Sequence, residues 1–163
     1  MASGKTTIGK LLSKHYNLRF IDLDQYIVDA EGMTISEIFD QKGEIYFRRK
    51  ETFYLKEVLE LDESYVLSLG GGTPCYGNNM ELITNSNALS VYLKASIPTI
   101  TRRIIGGKQK RPLVAHLSVE DIPEFIGKHL FERQYFYNQS KEVVPTDGKT
   151  TLEVVNEILN YLA

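Results

Sequence analysis

Met1-Ala2-Ser3-Gly4-Lys5-Thr6-Thr7 decides how the rest of the chain is read. It matches the second half of a phosphate-binding loop running into a helix, G-x-x-x-x-G-K-[ST], with the first glycine of that pattern falling before Met1. Gly4 lets the backbone approach a phosphate chain closely. The helix that follows aims unpaired N–H groups and the positive end of its dipole at the anion. Lys5 adds charge for the outer phosphates, and the Thr6 hydroxyl is a hard oxygen suited to Mg2+. Half a motif leaves a plainer alternative open, a helix N-terminus with a surface lysine. Such a loop joins a β-strand to its helix, so the expectation is a sequence that starts inside the loop, its first strand absent.

Ile8, Leu11, Leu12 and Tyr16 recur at helical spacing and predict an amphipathic helix from Thr6 to about Tyr16. Arg19-Phe20-Ile21-Asp22 suits a buried parallel strand, and Asp22-Leu23-Asp24 sits at its carboxyl end, where open α/β sheets bind ligands. Acids at i and i+2 leaving a strand point to one side, a small negative pocket for which Mg2+ is the natural occupant. The alternative is capping, with Asp24 opening a turn over Gln25 to Ala30. Thr34-Ile35-Ser36-Glu37 is a capping box for a short helix that Gly43 closes. Glu44 to Leu61 reads as a long helix with Phe47, Tyr54, Leu55, Val58 and Leu59 on one stripe; Arg48 and Glu51 beside it read, on composition, as a solvated charged face. Ser64 to Leu69 is a second strand that runs into Gly70-Gly71-Gly72. Three glycines there make either a flexible turn or a wall that a ligand approaches closely.

A short helix over Asn79 to Asn85 and a strand over Ala88 to Lys94 follow. Ser96 caps a helix carrying Ile100, Ile104 and Ile105, which Gly106-Gly107 ends. From Gly106 to about His116 the chain is basic and glycine-hinged, with Lys108, Lys110 and Arg111: a surface connection, or a lid that brings cations over a triphosphate. Ser118 with Asp121 is a capping box for a helix to about Ser140, on which Arg133 and Tyr137 share a face. Lys141 to Pro145 is a last strand, and Leu152, Val155, Ile158, Leu159 and Leu162 mark an amphipathic terminal helix. Strands alternating with helices predict a parallel α/β sheet.

A chain of 163 residues with 42% hydrophobic and 25% charged residues has the size and make-up of one globular domain. A net charge of −2 gives no basic field for nucleic acid and no polybasic anchor for a membrane. There is no apolar run near membrane-spanning length, which makes the cytoplasm the default location. The single cysteine, Cys75, cannot form an internal disulfide, and no His or Asp stands where it would activate the thiol.

As a set, the Gly4-Lys5-Thr6-Thr7 loop, Asp22-Leu23-Asp24, Gly43-Glu44 with Phe47-Arg48 and Glu51, Gly70 to Gly72, Arg111-Pro112-Leu113, and Arg133 with Tyr137 stand in the order and spacing of shikimate kinase. The chain resembles that family over its whole length. The resemblance implies a three-layer α/β P-loop kinase fold: a central parallel sheet with helices on both faces, as one domain over 1–163. It implies a substrate-binding helical segment over about 24–61 and a lid over about 106–116. It implies transfer of the ATP γ-phosphoryl group to the 3-hydroxyl of shikimate. By the same resemblance Ser3, Gly4, Lys5, Thr6, Thr7 and Arg111 serve ATP, and Thr6 and Asp22 serve Mg2+. Asp24, Arg48, Gly71, Gly72 and Arg133 bind shikimate, with Lys5, Asp24 and Arg111 acting in catalysis. ATP and shikimate are the partners, nucleic acid and membrane are not, and the enzyme is expected to be a monomer. One departure stands out: the family places a basic residue about seven positions before the lid arginine, where this chain has Ile104, preceded by Arg102 and Arg103. A kinase of another small hydroxylated carboxylate, such as gluconate, and a catalytically silent relative are the competing readings.

Overall fold

The structure, a computed structural model, describes residues 2–107, 114 and 116–162, so Lys108, Lys110, Arg111 and most of the expected lid lie outside the described residues. The chain forms two compact units, residues 5–90 and residues 1–4 with 91–163.

The unit of residues 5–90 contains α1 (Lys5–Tyr16), β1 (Arg19–Asp22), α2 (Leu23–Glu31), α3 (Ile35–Leu59), β2 (Tyr65–Ser68), a 3-10 turn (Thr73–Cys75) and α4 (Asn79–Asn85). β1 and β2 pair in parallel, from Arg19 opposite Tyr65 to Asp22 opposite Ser68. α1 buries Ile8, Gly9, Leu12 and Ser13, whereas Leu11 and Tyr16, expected on the same stripe, are 39% and 42% exposed. Gly9 explains the difference. A Cβ there would lie 2.7 Å from the Phe20 ring, so the helix presses its glycine side onto β1 and turns Leu11 outward. Asn17, at φ 52°, ends the helix in the left-handed region, and the Leu18 N–H then reaches the Ser13 carbonyl at 2.8 Å.

The expected capping box opens α3, with the Glu37 N–H on the Thr34 hydroxyl at 3.2 Å and the Thr34 N–H on the Glu37 carboxylate at 2.8 Å. α3 is two helices meeting at Gly43, whose φ of 82° and ψ of 170° break the ladder where the sequence predicts a stop.

The other unit contains β3 (Val91–Lys94), α5 (Ile97–Ile105), α6 (Ile122–Tyr137), β4 (Glu142–Pro145) and α7 (Thr151–Leu162). β3 and β4 also pair in parallel, from Val91 opposite Glu142 to Lys94 opposite Pro145. Its core gathers Ala95, Ile100, Ile104, Val114, Ile122 and Ile126. The Asp121 N–H donates to the Ser118 hydroxyl, which in turn donates to the Asp121 carboxylate; the backbone return bond of a capping box is not among these, the pair closes a turn, and α6 opens later, at Ile122. A box absent from the sequence reading, Thr150 with Glu153, opens α7.

The architecture is therefore the mixed, parallel α/β expected. The strands form two two-stranded parallel sheets, one in each unit, and among the described residues no strand joins them. No helix among the described residues is long and apolar enough to cross a membrane.

Candidate active site

β1 and α2 set the first acidic residues. Asp22 is the last residue of β1 and the cap of α2, its Oδ1 accepting from the Asp24 N–H at 3.1 Å and the Gln25 N–H at 3.4 Å. Asp22 thus takes the capping role the sequence left open for Asp24, and the helix starts at Leu23 instead of Gln25. Asp24 is released from capping and lies in the first turn, half-buried. Burial raises its pKa above the ordinary aspartate value, and the charges of Asp22 and Glu51 add to the rise; Lys5 and Arg48 oppose it.

The loop after β2 packs onto these groups. A Cβ on Gly70 would stand 3.1 Å from Asp24 Oδ1, and one on Gly72 would stand 2.9 Å from Arg48 Nη1 and 3.0 Å from Nη2. Any side chain at Gly72 would crowd the guanidinium, so Gly70 and Gly72 let the loop pack closely on Asp24 and Arg48.

Glu51, expected on a solvated face, is 1% exposed. Its Oε2 accepts from Arg48 Nη1 at 2.9 Å and its Oε1 from the Thr73 hydroxyl at 2.7 Å. Asn79 Nδ2 donates to the Thr73 carbonyl at 2.8 Å, and the Thr52 hydroxyl donates to Asn79 Oδ1 at 2.8 Å. The network ties α3 to the glycine loop and to α4. Burial works against the Arg48 charge, but the hydrogen bond and charge of Glu51 outweigh it, and the guanidinium pKa is raised. Tyr76 stacks on the same guanidinium, its ring centroid 3.8 Å from Cζ, and its hydroxyl donates to Glu44 Oε1 at 2.8 Å.

A second carboxylate fixes α2 to α3. Glu31, with a side chain 9% exposed, accepts from the Tyr46 and Tyr54 hydroxyls at 2.6 Å each and pairs with Lys50 Nζ at 2.9 Å. The hydrogen bonds of Tyr46, Tyr54 and Lys50, in that order, lower its pKa to about 2. Tyr26 adds a parallel tie to Glu57.

Ser3 and Gly4 belong to the other unit, where Arg103 Nη1 donates to the Ala2 carbonyl at 3.2 Å and Gly4 has a φ of 96°, a conformation that favours glycine. Thr6 and Thr7 are exposed in the first turn of α1. Arg133 is half-buried on α6, beside a small cavity it lines with Ile100, Ile126, His129, Leu130 and Tyr137, and it forms no hydrogen bond or ion pair among the described residues. Ile104 is fully buried in that unit's core, so the position where the family has a basic residue presents nothing to a nucleotide here. Arg111 lies outside the described residues.

Among the described residues no three His, Cys, Asp or Glu side chains cluster as a metal cage. The oxygens of Thr6 and Asp22 remain. Asp22 Oδ1 is committed to α2, and a magnesium ion bound mainly by phosphates and water needs only one or two protein oxygens, so the donor set fits such an ion.

Thr73, Tyr76 and Asn79 belong to the site and were missed in the sequence, while Glu44 entered it only as part of the Gly43-Glu44 motif of the resemblance. Their only signal is position: Thr73 and Tyr76 follow the glycine triplet, and Glu44 lies four residues before Arg48.

The family profile described as shikimate kinase matches residues 1–163. A shikimate kinase of Flavobacterium johnsoniae is 46% identical over 163 residues, covering 100% of this chain and 95% of the relative. One of Flavobacterium psychrophilum is 44% identical over 162 residues, covering 99% and 94%. Among solved structures, the shikimate kinase of Bacteroides thetaiotaomicron superposes with a TM-score of 0.91 at 34% identity, over 99% of this chain and 93% of its own. That of Acinetobacter baumannii, in complex with shikimate, gives 0.85 at 29% identity, over 99% and 88%.

Proposed function

The chain belongs to the shikimate kinase family, and on that premise we propose how its own residues carry out the phosphorylation of shikimate by ATP. The observation that carries the reading is the wall of Gly70 to Gly72, with the Asp24 carboxylate against one end and the Arg48 guanidinium against the other. Shikimate is a small carboxylate with several hydroxyls. A bare backbone wall flanked by a cation and an anion suits such a molecule: Arg48 takes the carboxylate, and Asp24 takes a hydroxyl.

In the reaction the 3-hydroxyl oxygen attacks the γ-phosphorus, the bond to the bridging oxygen of ADP breaks, and the hydroxyl proton leaves toward Asp24. The raised pKa of Asp24 favours its receiving that proton, since a base works best when its pKa approaches the working pH. Phosphoryl transfer needs positive charge and alignment more than covalent help. Lys5, close enough to Asp24 for its charge to act there, supplies charge at the phosphates together with the N–H groups of Gly4, Lys5, Thr6 and Thr7. Thr6 and Asp22 are the residues that would hold Mg2+, which supplies neutralisation of phosphate charge. Ser3 lines the loop, Gly71 and Gly72 form the substrate wall, Arg133 is a second guanidinium for the carboxylate, and Arg111 is the lid arginine, the last two on the strength of the resemblance. The same reading makes residues 1–163 one working domain, with 24–61 binding shikimate and 106–116 as lid, in a cytoplasmic monomer supplied with ATP there.

The test is coupled ADP release with shikimate and ATP in the presence of Mg2+. Shikimate-dependent turnover that a carboxamide analogue of shikimate cannot elicit is the expected result. Turnover indifferent to the carboxylate would overturn the assignment of Arg48.

A further inference from the structure

Arg103 stands on the flank of α5, beside the core. Ile100 and Ile104, one helical turn apart, are buried, Arg102 is exposed, and Arg103 lies between these extremes, half-buried. Its Nη1 donates to the Ala2 carbonyl at 3.2 Å. Ala2 also packs on the core to which Ile100 and Ile104 belong, so one helix holds this residue both by packing and by a hydrogen bond from a charged donor.

Ala2 needs such a grip. Its φ is 49°, in the left-handed region that a residue with a Cβ adopts only where its surroundings hold it there. Holding the carbonyl also sets the next donor. The peptide between Ala2 and Ser3 is trans and planar, so its C=O and N–H point in opposite directions. A carbonyl fixed on Arg103 therefore turns the Ser3 N–H to the other side, and it keeps the carbonyl's partial negative charge away from an anion in the loop. Asp147, just after β4, anchors the same helix: its carboxylate accepts from the Ser96 N–H at 3.0 Å and the Ser96 hydroxyl at 2.9 Å. Hydrogen bonds from Thr99, foremost, and from Ser96 lower the Asp147 pKa, and the Arg103 charge acts in the same direction, so an ionised carboxylate balances the guanidinium.

Resting on the reading of Ser3 to Thr7 as the ATP phosphate loop, we propose that Arg103 is a positioning residue for that loop: by holding the Ala2 carbonyl it keeps Ser3 and Gly4 in the conformation that binds phosphate. Ile104, where the family has a basic residue, is buried in the core, and Arg103 spends its reach on the loop backbone.

Arg103→Ala should raise the ATP KM about tenfold, the worth of one hydrogen bond from a charged donor, and leave the shikimate KM unchanged. Arg103→Lys, which keeps a cationic donor on a long stem, should recover most of that loss, and Arg102→Ala should lose nothing. Inorganic tripolyphosphate with Mg2+ is the decisive probe, because it carries the phosphates and no base. Its Kd should rise in Arg103→Ala by the same factor as the ATP KM; a Kd that does not change overturns the role of Arg103 in the loop. Lys5→Met separates that role from the reading of the loop itself. If Lys5→Met leaves both the tripolyphosphate Kd and the ATP KM unchanged, the loop reading falls. If it raises both while Arg103→Ala raises neither, the loop reading stands and the role of Arg103 falls. Should Arg103→Ala not fold, Arg103→Met, which keeps the stem, is read in the same way.

Discussion

Glu51 spends both carboxylate oxygens inside the protein, one on Arg48 and one on Thr73, at 1% exposure. Removing one partner of such a pair leaves an uncompensated charge, so Glu51→Ala should destabilise by about 3–5 kcal/mol. Thr73→Val, which strands one oxygen, should cost about 1–3 kcal/mol. Urea midpoints at pH 7 measure both, and a smaller loss for Glu51→Ala than for Thr73→Val would contradict the network as described. Asp24 predicts the opposite sign. Its folded pKa lies above its ordinary value, so the folded state holds the proton more tightly than the unfolded chain, and ionised Asp24 weakens the fold at pH values above that pKa. Asp24→Asn should therefore raise the urea midpoint at pH 7 while lowering kcat by about 10²–10⁴. A lower midpoint would show that ionised Asp24 stabilises the fold. The place of Asp24 just past a strand end was legible in the sequence. The burial of Glu51 was not, because i,i+3 charges on a helix look the same in sequence whether water or a glycine loop covers them.

Between elements, Glu31 joins α2, which carries Asp24, to α3, which carries Arg48, through Tyr46, Tyr54 and Lys50. The Lys50 ammonium also lies between 5.6 and 5.8 Å from the rings of Tyr46, Phe53 and Tyr54. Glu31→Gln should cost on the order of 2 kcal/mol at pH 7, the worth of hydrogen bonds to a charged acceptor. The sign with pH follows from the depressed pKa. The stabilisation is complete above the ordinary value of 4.5 and is lost as pH falls through about 2. Wild-type and Glu31→Gln urea midpoints should accordingly differ by a constant amount above pH 5 and converge toward pH 2; a gap that persists at pH 2 would place the effect in packing instead of charge. The elements themselves were largely readable: the Thr34–Glu37 box and the Gly43 break stand where the sequence puts them. Either aspartate could cap α2, the sequence offered Asp24 only as an alternative, and the strand's end point selects Asp22.

For the whole molecule, substrates that bind only the native state stabilise it by mass action. Saturating shikimate together with MgATP, each near a hundred times its Kd, should add about 2.7 kcal/mol per ligand and raise Tm by roughly 10–20 °C in total. Differential scanning fluorimetry reads this, and a shift with ATP but none with shikimate would remove shikimate as the acceptor. The sequence by itself determined the parallel α/β alternation, the helix that follows Gly4 and the two acids at the end of β1, because each rests on local periodicity or strand position. Tertiary structure alone decided that Gly9 turns Leu11 outward, that Glu51 is buried, and that Tyr76 lies on Arg48. Those facts depend on which distant segments fold against one another, and neither residue type nor spacing along the chain carries that information.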